Sequence, residues 1–359
     1  RPDLIKDALQ WLAGTAGNMV INQQMVNTAL SASDPTASWP ANTGDVWWRY
    51  RLKGSALLAH DPQAGSAVPV NIAQLNSFYH KWYTPDAMTL YVVGNVDTRA
   101  ICEQIGKIFA SLSGKRSSPP SVAVLPPLPD QAVNLVDSQG VGDRLSLIWD
   151  MPWSPITDSQ SLQQYWLGDL AREVLYWHLQ PAEPETTNTD ARFGLDCRVF
   201  YQRAQCGLNI DTSAEKMPGQ VEKVAADFAN LRDKGLTQSE FDSLMSRKLT
   251  ELNTLFATYA RTGTQTLMSQ RLRSQQNAVV DISPEQYQRL RQAFLGGLTL
   301  EALNHELHLQ LSQPLSMVLV QPQGEAEIPV SSLKARFDGI VSPAADSGDS
   351  HTPAPAANQ

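Results

Sequence analysis

Residues 78–97 read Phe78-Tyr79-His80-Lys81-Trp82-Tyr83-Thr84-Pro85-Asp86-Ala87-Met88-Thr89-Leu90-Tyr91-Val92-Val93-Gly94-Asn95-Val96-Asp97. They are expected to form the end of a helix, a turn at Thr84-Pro85-Asp86, a strand from Met88 to Val93 and the cap of a further helix. Pro85 lacks an amide hydrogen and stops the first helix, and it pushes Thr84 toward extended backbone. The Met88–Val93 run is almost unbrokenly apolar, which predicts a strand buried on both faces. Asp97 or Thr98 then caps a helix whose Ile101, Ile105, Ile108, Phe109 and Leu112 share one side.

Working outward, the chain has 359 residues, enough for two domains. Hydrophobic residues make up 42% and charged residues 18%, which predicts a packed core. The net charge is −8 without a basic run, which argues against nucleic acid as a partner. No apolar stretch reaches the roughly 18 residues of a membrane-spanning helix. The chain begins at Arg1 rather than methionine and shows no signal peptide, so either a piece has been removed or this is a fragment, and an N-terminal piece is expected to be missing.

Before the opening stretch, residues 1–13 are read as a helix with Leu4, Ile5, Ala8, Leu9 and Leu12 on one stripe. Asn22 caps a second helix to about Leu30. Residues 31–45 read as a loop, and Val46–Leu58 carries Trp47, Trp48 and Tyr50, an aromatic cluster expected in a core or domain contact. A loop at 61–70 leads to Asn71, which opens the helix ending at Tyr83. After the opening stretch, prolines 119, 120, 126, 127 and 129 mark a linker. The chain therefore divides into residues 1–113, a linker at 114–130, a second domain at 131–341 and a disordered tail at 342–359.

The second domain starts with strands Ala132–Asp137 and Asp143–Asp150, then a helix from Ser159 to Leu179 and an exposed loop at 181–191. Phe193, Leu195, Cys197 and Val199 alternate with polar residues, and Ala204, Cys206, Leu208 and Ile210 do so in the opposite parity. A hairpin turning at 200–203 pairs 193 with 210, 195 with 208, 197 with 206 and 199 with 204, so every apolar side chain shares one face. It also sets Cys197 opposite Cys206, either as a disulfide or as two packed thiols, and an oxidised pair would point to a bacterial periplasm. Cys102, beside Ile101, is read as a buried thiol. Helices follow at 218–234, with Gly235 closing, from the Thr237-Gln238-Ser239-Glu240 capping box toward Tyr259 and beyond, from Ser283-Pro284-Glu285 to Leu295, and from Thr299 to Leu311. A buried strand at Leu315–Val320 and a helix at Ser331–Ile340 complete the fold.

The pattern Phe78-Tyr79-x-x-Trp82-Tyr83-x-Pro85, then Val92-Val93-Gly94-x-Val96-Asp97, then Phe109-x-x-Leu112 resembles the insulinase (pitrilysin, mitochondrial processing peptidase) family of zinc metallopeptidases, as a short-chain bacterial member. That resemblance implies an α+β fold of two related domains, each a mostly antiparallel sheet with helices on one face, forming half of a clamp. It implies proteolysis of an extended peptide added to a sheet edge, a homo- or heterodimer with a second half-clamp, and a periplasmic location. The family's zinc site is an inverted His-x-x-Glu-His with a glutamate downstream.

No His-x-x-Glu-His occurs in the sequence, and residues 22–31, roughly where the downstream glutamate is expected, read Asn-Gln-Gln-Met-Val-Asn-Thr-Ala-Leu-Ser. No catalytic or metal-binding residue is therefore assigned, and zinc is expected only if an upstream segment supplies ligands. His305-Glu306-Leu307-His308 lies on a helix at a spacing foreign to the family and reads as a solvated face. His80 and His178 read as packing or surface residues. Two functions stay open: a metallopeptidase homologue without a working zinc site in this chain, and a non-catalytic peptide-binding or partner subunit. A purely structural role for the same fold is the third, separable by peptide binding.

Overall fold

The computed structural model describes residues 2–32, 45–55, 69–180 and 191–342. Most of the loops read at 31–45, 61–70 and 181–191, the end of the Val46–Leu58 segment and the tail from 343 lie outside the described residues.

The first part is helical. A 3₁₀ turn, Pro2–Leu4, leads into α1 (Ile5–Gly17), followed by α2 (Gln23–Ala32), α3 (Val46–Leu52), α4 (Ile72–Trp82) and α5 (Thr98–Phe109). The capping residues read from sequence act as such. Asn22 accepts from Met25 N at 2.9 Å, Asn71 from Gln74 N at 3.0 Å, and Asp97 from the amides of Arg99 and Ala100. The Tyr79 hydroxyl, buried between α1 and α4, donates to Thr15 O at 2.6 Å and accepts from Met19 N at 3.2 Å. On α1 the buried stripe is Leu9, Ala13 and Ala16, while Leu4 and Leu12 face outward.

Two expectations fail here. Residues 88–93 are extended, but they pair with no strand among the described residues. Met88, Leu90 and Val92 remain 39%, 36% and 40% exposed, so the segment is not the doubly covered strand its composition suggests. A strand exists only through a neighbour's amides, and apolar composition cannot supply one. Cys102 is exposed rather than buried. It follows Ile101 by one residue, a turn of about 100° around the helix, and so leaves the apolar side.

The second part carries the sheet. Its strands are β1 (Gln131–Asp137), β2 (Arg144–Pro152), β3 (Arg192–Phe200), β4 (Arg203–Asp211) and β5 (Ser316–Pro322), in the order β1-β5-β2-β4-β3. Among these four strand pairs β1–β5 is the parallel one. The β3–β4 register is the expected one: Phe193 with Ile210, Leu195 with Leu208, Cys197 with Cys206, Val199 with Ala204. Tyr201 and Gln202 turn the hairpin at φ 49° and 61°. That strain for non-glycine residues is offset where their carbonyls accept from Leu125 N and Trp153 N, at 3.2 and 3.0 Å.

Leu145, Leu147 and Trp149 of β2, Leu208 and Ile210 of β4, and Met317 and Leu319 of β5 point to one face. Alternation along each strand collects them there. Against them pack α6 (Ser159–Leu179), α7 (Met217–Lys234), α11 (Leu300–Leu311) and α12 (Val330–Val341). A second cluster joins α6 to α8 (Gln238–Ala260) and α10 (Pro284–Gly297) through Leu162, Trp166, Leu252, Phe294 and Leu295. Helix α9 (Thr264–Gln276), which buries no residue and shows no apolar periodicity, was not anticipated. Gly235 ends α7 at φ +66°, where a Cβ would strike Asn304, whose carboxamide accepts from Leu236 N at 2.8 Å.

Candidate functional site

The other sheet face is only partly covered. Its residues are fixed by the same alternation: Arg144, Ser146, Ile148 and Asp150 on β2, then Arg203, Gln205, Gly207, Asn209 and Asp211 on β4. Arg192, Gly194, Asp196 and Arg198 of β3 stand opposite Asp211, Asn209, Gly207 and Gln205. Over one end lie Trp47, Trp48 and Leu52 of α3 with Leu125 and Leu128, packed on Val133, Ile148 and Val318. Trp48 meets Phe200 edge to face at 5.0 Å, so the tryptophan pair is the core contact its composition implied.

Beneath this cover sits a buried ion cluster. The Asp150 carboxylate accepts from Arg51 Nη2 at 2.7 Å, Arg203 Nε at 3.1 Å, Arg203 Nη2 at 2.9 Å and Leu128 N at 3.1 Å. Arg51 Nη2 also donates to Pro126 O at 3.0 Å. Burial lowers the Arg51 guanidinium pKa while Asp150 opposes the shift. One carboxylate thus ties α3 and residues 126–128 to β2 and β4.

Beside that cover a groove of about 540 Å³ remains open. Its walls are the α3 start (Asp45, Trp47), the β1–β2 turn (Asp137, Asp143) and the exposed parts of β2, β4 and β3. Its polar groups are held in place. Arg144 grips Asp211 through Nε at 2.7 Å and Nη2 at 2.9 Å, and Arg198 Nε donates to Asp196 at 2.9 Å. Trp47 Nε1 donates to Gln205 Oε1 at 3.2 Å, and Ser146 Oγ to Asn209 Oδ1 at 2.6 Å. Gly207 leaves the floor low. Carboxamides and fixed charges along its walls can meet the amides of an extended chain.

Cys197 and Cys206 meet across the β3–β4 ladder with Cα atoms 4.1 Å apart, close enough for a disulfide. The described histidines do not converge. On α11, His305 and His308 are exposed and His308 Nδ1 lies 3.1 Å from Arg232 O, while Glu306 turns inward to accept from Gln310 Nε2 at 3.0 Å. His80 is exposed against Tyr79, and His178 Nε2 pairs with Glu240 at 2.8 Å. Among the described residues no three His, Cys, Asp or Glu side chains gather as a metal site requires, and α2 carries no carboxylate. These residues do not fit the family's zinc. The groove residues and the Asp150 cluster went unmarked in the sequence reading. The only signal was parity, since they are the polar alternates of the strands whose apolar set was recognised.

Residues 69–248 match the peptidase M16 inactive domain. The chain belongs to the peptidase M16, or insulinase, family. It is 51% identical over 344 residues to protein YhjJ of Salmonella typhi, covering 96% of this chain and 70% of that protein. A solved "predicted insulinase family protease" from Yersinia pestis superposes with a TM-score of 0.87 at 55% identity, over 95% of this chain and 75% of that one. The periplasmic protease PqqL from Escherichia coli gives 0.78 at 18% identity, over 96% and 39%, which establishes the shared half-clamp fold alone. The α+β architecture expected from the opening motif is therefore that of an M16 half-clamp. Among the described residues no helix is long and apolar enough to cross a membrane.

Proposed function

We propose that this M16 chain is a non-catalytic half-clamp that holds an extended polypeptide segment in the groove on the open face of its sheet. The observation that carries the reading is an open groove of about 540 Å³ lined by the polar alternates of β2, β4 and β3, in a molecule whose described side chains do not fit a zinc site. The Asp150 cluster supports it by tying α3 and residues 126–128 to β2 and β4, which fixes the groove wall. A second half-clamp, identical or related, is the natural partner and closes over the bound segment. A periplasmic setting agrees with the paired Cys197 and Cys206 and with the location stated for PqqL.

The test is one incubation with two readouts. A fluorescein-labelled, unstructured polypeptide is mixed with the full chain, with and without added zinc. Anisotropy reports binding and mass spectrometry reports integrity. The expected result is saturable binding with the peptide recovered intact under both conditions. Cleavage that appears with zinc and disappears with a chelator would overturn the reading, as would the absence of binding.

A further inference from the structure

We propose that Cys197 and Cys206 form a redox-sensitive tether that fixes β3 as the outer wall of the groove, and that reduction by a dithiol loosens that wall. The inference rests on the peptide-holding reading and names a regulation of the same site.

β3 ends the sheet. Among the described strands it pairs with β4 alone, whereas β5, β2 and β4 each lie between two neighbours. A strand held on one side opens more readily than one held on both. Yet β3 supplies Arg192, Asp196 and Arg198 to the groove. Asp196 and Arg198 flank Cys197 in the chain, and Arg198 Nε donates to Asp196 at 2.9 Å. They stand opposite Gly207 and Gln205 of β4, and Gln205 in turn holds Trp47 Nε1. Alternation sends the Cys197 side chain to the other sheet face. A covalent tie at Cys197 therefore sits directly behind the two groove residues that it steadies.

The tie is not what sets the pairing. Phe193 opposite Ile210 and Leu195 opposite Leu208 specify the register, and the turn is anchored where Leu125 N and Trp153 N donate to the carbonyls of Tyr201 and Gln202. What the cross-link adds is stiffness in the middle of the ladder. Access to it is one-sided. Cys206 is buried with Trp149 in the main core. Phe193 and Leu195 are half-buried against that core, while Cys197, further along the strand, is exposed. Cys197 Sγ is thus the sulfur that an incoming thiolate reaches. Attack there breaks the Sγ–Sγ bond, and Cys206 leaves as a thiolate and takes up a proton. The second thiol of the reductant then attacks the mixed disulfide and releases Cys197. Two electrons and two protons pass to the pair, and the dithiol leaves as a disulfide.

The experiment uses the full chain, air-oxidised or treated with dithiothreitol, and a Cys197→Ser, Cys206→Ser double variant. Alkylation and mass spectrometry of the unfolded chain count the thiols, anisotropy of the fluorescein-labelled polypeptide measures binding, and deuterium exchange follows β3. Reduction is expected to weaken binding about tenfold, because the groove wall is no longer preorganised. Amides of residues 193–199 are expected to exchange faster while those of 145–148 stay protected. The double variant should bind as weakly as the reduced chain and ignore dithiothreitol. Equal binding by the oxidised and reduced chains would overturn the regulation and leave the groove. Absence of binding in both states would overturn the groove reading and the regulation with it, and β3 exchange that is the same in both would overturn the tether itself. A third alkylated thiol before reduction would do the same, since Cys102 is the cysteine outside the pair. A reduced chain that loses its helical circular dichroism would make the pair a staple of the whole fold and overturn the proposal.

Discussion

Asp150 shows how one residue can decide the mutual placement of distant segments. Its carboxylate is buried and shared between Arg51 and Arg203. Removing the charge strands two guanidinium groups out of water, so Asp150→Ala should lower stability by about 3–5 kcal/mol in urea unfolding. A loss below about 1 kcal/mol would show that the cluster only decorates the contact. None of this was legible beforehand, because Asp150 meets Arg51 across 99 positions and Arg203 across 53. Local pairs such as Asn71 with the Gln74 amide were far easier to read, though the next cap was not among those named. Asp158 caps α6 by accepting from Ser161 N at 2.8 Å, and that amide, then the Ser161 hydroxyl, holds its carboxyl below the usual range. A depressed pKa contributes stability above the ordinary carboxylate value and loses it as pH falls through the folded one. The Tm gap between wild type and Asp158→Ala should therefore be present at neutral pH and close on acidification below that ordinary value. A gap that stays constant with pH would contradict the cap.

At the scale of elements, the β3–β4 hairpin was read correctly because two strands of opposite parity admit one register with a single apolar face. The same register brings Cys197 to Cys206. If the pair is oxidised in the isolated protein, the unfolded chain should titrate one thiol without reductant, the exposed Cys102, and three with it. Three thiols without reductant would reject the bond. Loss of the cross-link through Cys197→Ser should cost about 2–4 kcal/mol of stability. The 88–93 segment went the other way. Its composition suits a strand, but a strand is a relation between segments, and no described neighbour supplies the ladder. Its amides should exchange with deuterium far faster than those of Leu145–Ile148, which lie between β5 and β4. Protection in 88–93 equal to that of β2 would show a pairing absent from this structure.

At the scale of the molecule, the sheet separates two tasks. One face carries the packed core against α6, α7, α11 and α12, and the other carries fixed polar groups and a groove. The fold class followed from the opening motif and from strand alternation. The groove did not, since it exists only where β2, β4 and β3 lie side by side under α3. The direct test is photo-crosslinking of a peptide bearing a benzophenone, with the adducts located by mass spectrometry. The account predicts adducts on Trp47 and on the Gln205–Asp211 stretch of β4, with the peptide otherwise intact. Adducts confined to the helical face, or a peptide recovered cut, would contradict it.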